Sequence, residues 1–346
     1  MVIKSTDLLT FLQKTARDQL GGFTEIFAPA TSPWSEPRNT FFTPLHDSQT
    51  PLLDSYRTVD PVKILIYHIR EQIQNNRNGV GKHLILGVKA CDLKALLLLD
   101  DALKNRDVID PSYAKWRDTS TIVSTDCGSI AATCHCTLVG GKPYAESDFD
   151  LNLAAFDDSY WITIGTERGK ELVDLMSSIT TVLPGQAEQW QRVVQRRERI
   201  IQELAQQNQP FQRRDGYLDM RHCGPQPWKE EATPCIGCGA CTNICPTCYC
   251  LILNDESKEG TFIKERSYDS CQWNGYARVA GGSSPRPKMN QRFRNRYLCK
   301  FDYMYHNFNR IGCTGCGRCT EACAGEIDFR RVVKAVQDSA LAGKNH

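Results

Sequence analysis

Cys235-Ile-Gly-Cys238-Gly-Ala-Cys241-Thr-Asn-Ile-Cys245-Pro246 constrains this chain more than any other stretch, because its spacing returns as Cys313-Thr-Gly-Cys316-Gly-Arg-Cys319-Thr-Glu-Ala-Cys323-Ala324. Both read C-x2-C-x2-C-x3-C. Three thiolates spaced by two residues wrap three corners of a [4Fe-4S] cube, while the fourth enters the next helix, points away and ligates the other cluster. The spacing therefore predicts crossed ligation. One cluster takes Cys235, Cys238, Cys241 and Cys323, and the other takes Cys313, Cys316, Cys319 and Cys245. Gly237, Gly239, Gly315 and Gly317 suit a loop that must bend sharply around a cube and bring its N–H groups close to sulfur. Zinc fits this spacing poorly, since it usually joins two Cys-Cys pairs across a long loop. Disulfides fit worse, because nothing at the N-terminus reads as a secretory signal.

At 346 residues the chain is long enough for two domains with a substantial core. Lys plus Arg is 42 against Asp plus Glu 40, a balance that argues against a general nucleic-acid binder. No apolar run has the length of a membrane span, so the expectation is a soluble protein of the reducing cytoplasm. Of seventeen Cys, eight belong to the two quartets; Cys91, Cys127, Cys134, Cys136, Cys223, Cys248, Cys250, Cys271 and Cys299 remain.

The pattern divides the chain into an α/β or α+β domain over 1–185, a helical linker over 186–232, and a mostly α-helical, ferredoxin-like dicluster domain over 233–346 with a long insertion between the quartets. The first twenty residues carry Leu8, Phe11, Leu12 and Ala16 at helical spacing. Prolines from Pro29 to Pro51 predict loop and short strands between Phe27 and Pro61. A second helix is expected over Val62–Gln74. No Walker loop follows it, because Asn76 stands where the first Gly would fall and His83 follows Lys82. His83–Val88 and Thr121–Thr125 read as buried strands ending just before Cys91 and Cys127, with a helix over Leu93–Leu103. Open α/β sheets gather ligands beyond the carboxyl ends of their strands, so Cys91 and Cys127 should lie side by side. Cys134 and Cys136 follow closely enough to complete a third four-thiolate site. Two alternatives stand: buried cysteines packing as small hydrophobes, or zinc with His135 as a ligand. A strand over Tyr160–Ile164 and a helix from Lys170 to about Ser178 come next. Gly185–Gln207 reads as a polar helix joining the domains with its arginines solvated. In the insertion, the basic run through Arg286, Lys288, Arg292, Arg294 and Arg296 reads as charge balance for anionic clusters, or as a docking site for an acidic partner, rather than as an RNA tract.

Glu265-Arg-Ser-Tyr-Asp-Ser-Cys271-Gln-Trp273, Val279-Ala-Gly-Gly282 and Arg292-Phe-Arg-Asn-Arg-Tyr-Leu-Cys299-Lys300 resemble the beta subunit of the cytoplasmic NiFe sulfhydrogenases. The electron-transfer subunit of anaerobic sulfite reductase is also similar. Lys89-Ala-Cys91-Asp92, Cys134-His-Cys136, Asp148–Leu153 and Ile164–Gly169 fall where the family carries like segments, so the resemblance spans most of the chain. It departs from the family at Ala324, where Pro usually follows the last Cys, and at His135, where an aromatic residue is usual. The resemblance implies two [4Fe-4S] clusters and strengthens the case for a third on Cys91, Cys127, Cys134 and Cys136. It also implies a hetero-oligomer in which other subunits hold a flavin that handles NAD(P)H and a hydrogenase or sulfur-reducing centre. Neither a Ser-His-Asp set, a dinucleotide glycine fingerprint nor paired acid/base carboxylates can be picked out, so the expected role is a non-catalytic relay of single electrons. The rivals are a stand-alone thiol or heterodisulfide reductase acting through Cys248 or Cys250, and a zinc-stapled binding module.

Overall fold

Leu84, Ile85, Leu86 and Val88 are all buried, which places their strand in the middle of a sheet covered on both faces. The computed structural model describes the chain except residues 37, 47–48, 74–80, 108, 213–216, 259 and 343–346. In chain order the first half comprises β1 (Val2–Lys4), α1 (Ser5–Asp18), β2 (Phe23–Thr31), β3 (Thr40–Pro44), β4 (Arg70–Gln72), β5 (Lys82–Val88), α2 (Ala90–Leu103), α3 (Pro111–Thr119), β6 (Ser120–Thr125), β7 (Leu151–Phe156), β8 (Ser159–Ile164), α4 (Glu167–Ile179) and β9 (Val182–Leu183). The second half adds α5 (Ala187–Gln207), α6 (Pro225–Glu231), α7 (Ala240–Asn243), β10 (Leu251–Lys258), β11 (Thr261–Tyr268), α8 (Met289–Leu298), α9 (Met304–Phe308), α10 (Arg318–Glu321) and α11 (Phe329–Ala342).

The large sheet runs β3-β2-β5-β6-β7-β8-β1-β9. Its centre, β2, β5, β6 and β7, is parallel, and antiparallel strands close both sides. Side chains alternate along each strand. Leu84, Leu86 and Val123 accordingly meet Leu8, Phe11, Leu172 and Met176 of α1 and α4, while Ile85, Val88 and Ile122 meet Leu93, Leu96 and Tyr113 of α2 and α3. Gly87 sits at φ 77 where the β5–β6 register shifts, and a Cβ there would lie 2.4 Å from Pro29 Cγ. This bulge sets the exit of β5 toward α2, which carries Cys91 in its first turn.

Three expectations change. Val62–Gln74 is not a helix: Val62–Leu65 forms a single 3-10 turn and Arg70–Gln72 is the strand β4; Gln74, like Asn76 of the excluded phosphate loop, lies outside the described residues. The cause is tertiary, since Lys63 Nζ donates to the Cys248 carbonyl (2.8 Å) and β4 pairs with β11. Nor is the region after residue 233 mostly helical. Apart from α11 and α8 its helices are single turns, its Cys loops are irregular, and β10 and β11 form a hairpin that makes a three-stranded sheet with β4. Finally, α5 does not have all its arginines in solvent. It buries Val193, Ile200 and Leu204, and Arg197 pairs with Asp126 at 2.7 Å.

Candidate metal centre

Gly237, Gly239, Gly315 and Gly317 all adopt positive φ, 70, 82, 69 and 75, the conformation expected of loops that fold tightly around a centre. Short helices then begin at once, so that α7 carries Cys241 and α10 carries Cys319. Cys235, Cys238 and Cys241 line one cavity together with Cys323 from the far quartet, and Cys319 lines it as well. Conversely, the Cys313 thiol interacts with Cys319, Cys316 and Cys245. The fourth Cys of each motif thus stands with the other motif's first three.

The second quartet is seated directly on the N-terminal domain. A Cβ on Gly315 would lie 2.4 Å from Cys136 Cα, and one on Gly317 would lie 2.3 Å from the Thr133 carbonyl oxygen. His135 N–H donates to the Gly315 carbonyl (2.8 Å). Around this contact Arg57 donates to the Cys316 carbonyl (2.7 Å) and pairs with Glu321 (2.7 Å). Arg318, between Cys316 and Cys319, forms a buried two-pronged pair with Asp92, next to Cys91.

Cys91, Cys127, Cys134 and Cys136 come together at this seam. Cys127 interacts with Cys91, Cys134 and Cys136, and both Cys91 and Cys134 also sense Cys316. His135 faces elsewhere. Its Nδ1–H donates to the Thr133 carbonyl (2.9 Å), its Nε2 lies 3.7 Å from Cys313 Sγ, and burial lowers its pKa to about 4, so the ring is neutral and turned to the second quartet.

A hydrogen bond from Cys248, with Lys300 and Lys63 nearby, holds Cys245 well below an ordinary thiol, whereas burial pushes Cys127 and Cys241 up to about 12 each. Such a thiol becomes a ligand only by giving up its proton as metal binds. The cations nearby tell the complementary story. Lys89 is 1% exposed and donates to three neutral oxygens, of Leu53, Thr125 and Asp126, at 2.8, 2.8 and 2.9 Å. Arg296 lines the first cavity, packs its guanidinium over Tyr297 and Phe329, and keeps a buried Nε with no hydrogen-bond partner. Among the described residues neither forms an ion pair with a carboxylate. Buried cations need an anion close by, and an iron–sulfur centre on four thiolates supplies one, so the donor set and its surroundings fit [4Fe-4S] clusters.

Two features were not legible beforehand. Cys248, Cys250, Cys271 and Cys299 line a single cavity with Lys300 and Arg296. Cys223, by contrast, is an ordinary buried residue among Trp228, Phe293 and Val336. Among the described residues no three His, Cys, Asp or Glu side chains converge tightly enough for a single metal ion. Of the basic run, Arg292 is spent on carbonyls of Gln272 (2.9 Å) and Pro287 (2.7 Å), whereas Arg296 lies close to the Cys241 and Cys319 thiols.

Residues 234–327 match the 4Fe-4S dicluster domain family. The chain is 30% identical over 305 residues to the Sulfhydrogenase 2 subunit beta of Pyrococcus furiosus, covering 84% of this chain and 86% of that protein. It is 23% identical over 177 residues to the F420-dependent formate dehydrogenase subunit beta of Methanocaldococcus jannaschii, which covers 51% of this chain and 38% of that one. No solved structure matches. No helix among the described residues is long and apolar enough to cross a membrane.

Proposed function

Because the chain belongs to the family of sulfhydrogenase beta subunits, we propose that it relays single electrons between a flavin subunit that handles NAD(P)H and a NiFe hydrogenase or sulfur-reducing subunit. One observation carries the reading: the cysteines form a continuous series, from Cys235 and its partners through the second quartet to the seam that holds Cys91, Cys127, Cys134 and Cys136. Bound clusters supply one-electron chemistry. The crossed quartets hold two, and Cys91, Cys127, Cys134 and Cys136 hold a third.

The chain's own residues do the rest. Arg296, beside Cys241 and Cys319, brings positive charge that favours the reduced form, and Lys89 does the same beside Cys127. Tyr297 and Phe329, stacked at 4.7 Å, shield the first cavity from water. Its outer rim is open, with Cys238 exposed and Ile236 68% exposed, and this edge is where a partner subunit exchanges electrons. The test is reduction of the anaerobically purified chain. Dithionite should bleach its visible absorbance, whereas NAD(P)H should do so only once the flavin subunit is added. Rapid reduction of the isolated chain by NAD(P)H would overturn the assignment of a relay without its own nucleotide chemistry.

A further inference from the structure

We propose that Cys248, Cys250, Cys271 and Cys299 hold an additional [4Fe-4S] cluster beside the second quartet. These four cysteines belong to neither C-x2-C-x2-C-x3-C motif. They come from three separate segments, and the fold of the insertion is what gathers them. Antiparallel pairing of Leu251 with Tyr268 sets the base of the β10–β11 hairpin, and Asp269 N–H donates to the Cys250 carbonyl just below it (3.0 Å). This places Cys250 beside Cys271. Cys299 arrives from the other side, as the first residue of a π-helical turn, Cys299–Tyr303, inserted between α8 and α9. Such turns add a residue to the helix and re-aim its side chains, often at functional sites.

The half-open cavity is about 280 Å³ and is lined by all four cysteines. A single water occupies about 30 Å³ in the liquid, so the cavity has room for a body several times larger.

Charge gives an independent argument. Lys63 and Lys300 are 0% and 2% exposed, and neither forms an ion pair with a carboxylate among the described residues. Lys63 donates to the Cys248 carbonyl (2.8 Å) and Lys300 to Thr247 Oγ1 (2.7 Å), both neutral acceptors. Two buried ammonium groups cost several kcal/mol each unless negative charge lies nearby. The second quartet offers only Cys245 to both; an anionic centre on Cys248, Cys250, Cys271 and Cys299 balances the rest. Donors to sulfur are also in place, with Tyr276 Oη 3.3 Å from Cys250 Sγ and Gln272 Nε2 3.5 Å from Cys271 Sγ. Transfer of a [4Fe-4S]²⁺ core from a thiolate donor breaks four Fe–S bonds to the donor and forms four to this chain, and the four thiol protons pass to the released donor thiolates with no change in oxidation state.

The test is iron and labile sulfide per chain in the full-length protein, purified anaerobically. Cys250→Ala and Cys299→Ala should each lose about four irons and four sulfides relative to wild type, and the double variant no more than either single one. Cys223→Ala should lose none. Unchanged iron in both single variants overturns the proposal. If those variants do not fold, Cys134→Ala decides. It should keep about twelve irons, from the two quartets and this site, whereas about eight would overturn the proposal. The separate assignment of Cys91, Cys127, Cys134 and Cys136 fails in a different way, as unchanged iron in Cys134→Ala.

Discussion

The Arg318–Asp92 pair joins the second quartet to the start of α2, and replacing Asp92 by Asn should loosen that joint measurably. Both side chains are 1% exposed, with Nη1 to Oδ1 at 2.8 Å and Nη2 to Oδ2 at 2.7 Å. Arg318 Nε also donates to the Thr58 carbonyl (3.0 Å), so the guanidinium is held on two sides and cannot swing into water. Asn keeps the volume and one acceptor but leaves a buried cation without its counter-charge. Removing one partner of such a pair costs about 3–5 kcal/mol, which is roughly a hundred- to several-thousand-fold in the population of the opened seam. The assay is anaerobic release of iron to excess chelator at constant temperature, whose rate follows that population while reclosing is fast. Arg318→Met should behave similarly, and Asp92→Leu with Arg318→Met should return close to wild type, because no unpaired charge remains. A rise of less than tenfold for Asp92→Asn, or full additivity in the double variant, would refute the reasoning.

Gly315→Ala should cost about 2 kcal/mol or more and lower iron content, since its Cβ meets the Cys136 backbone at a positive φ of 69; Gly275→Ala, with nothing within 4 Å, is the control. Cys245→Ser and Cys313→Ser should alter one and the same cluster by electron paramagnetic resonance, and Cys323→Ser the other; the opposite grouping would end the crossed assignment. Burial raises Asp60 from 3.8 to about 6, so its stabilising contribution is complete below about pH 3.8 and is lost as pH rises through about 6. Asp60→Asn should therefore be the more stable protein at neutral pH, by roughly 3 kcal/mol at most, with the gap closing toward pH 4 in denaturant titrations. Arg296→Gln should lower the reduction potential of the cluster lined by Cys241, read by anaerobic redox titration, because it removes the buried positive charge nearest that thiol.

The sites built on short, local patterns were the legible ones. β5 and β6 announce themselves as apolar runs, and their ends place Cys91 and Cys127 at the carboxyl edge of a parallel sheet. The quartet loops are equally local: spacing and glycines within a few residues dictate their shape. What local pattern could not reveal depends on partners far along the chain. Val62–Gln74 carries helical spacing, yet Lys63 and Tyr67 are drawn to the carbonyls of Cys248 and Tyr249, and β4 is claimed by β11. The hairpin itself is polar and leaves Ile252, Leu253 and Phe262 exposed, so it lacks the alternation of a half-buried strand pair. Its register alone brings Cys250 to Cys271, and no spacing in the sequence encodes that.

The placement of charge explains why these segments hold together at all. Among the described residues Lys63, Lys89, Lys300 and Arg296 lie in the interior and form no ion pair with a carboxylate, and each faces one or more thiols. Burial raises most of the thiols they face, which leaves these cations with a desolvation cost that only Cys245, held low by its Cys248 hydrogen bond and by Lys300 and Lys63, offsets in part. Four thiolates around iron reverse the sign of that balance, turning the same lysines and arginine into stabilising neighbours. Metal loading would then add stability to a scaffold already closed. The Arg318–Asp92 and Arg57–Glu321 pairs, which do have carboxylates, lie at the seam between the two halves, where the joint must form for any thiol group to close. Carboxylates thus balance the charges that join the halves, and thiolates balance those that surround the metal, so the chain can assemble its scaffold before the centres are filled and reaches its full stability only afterwards.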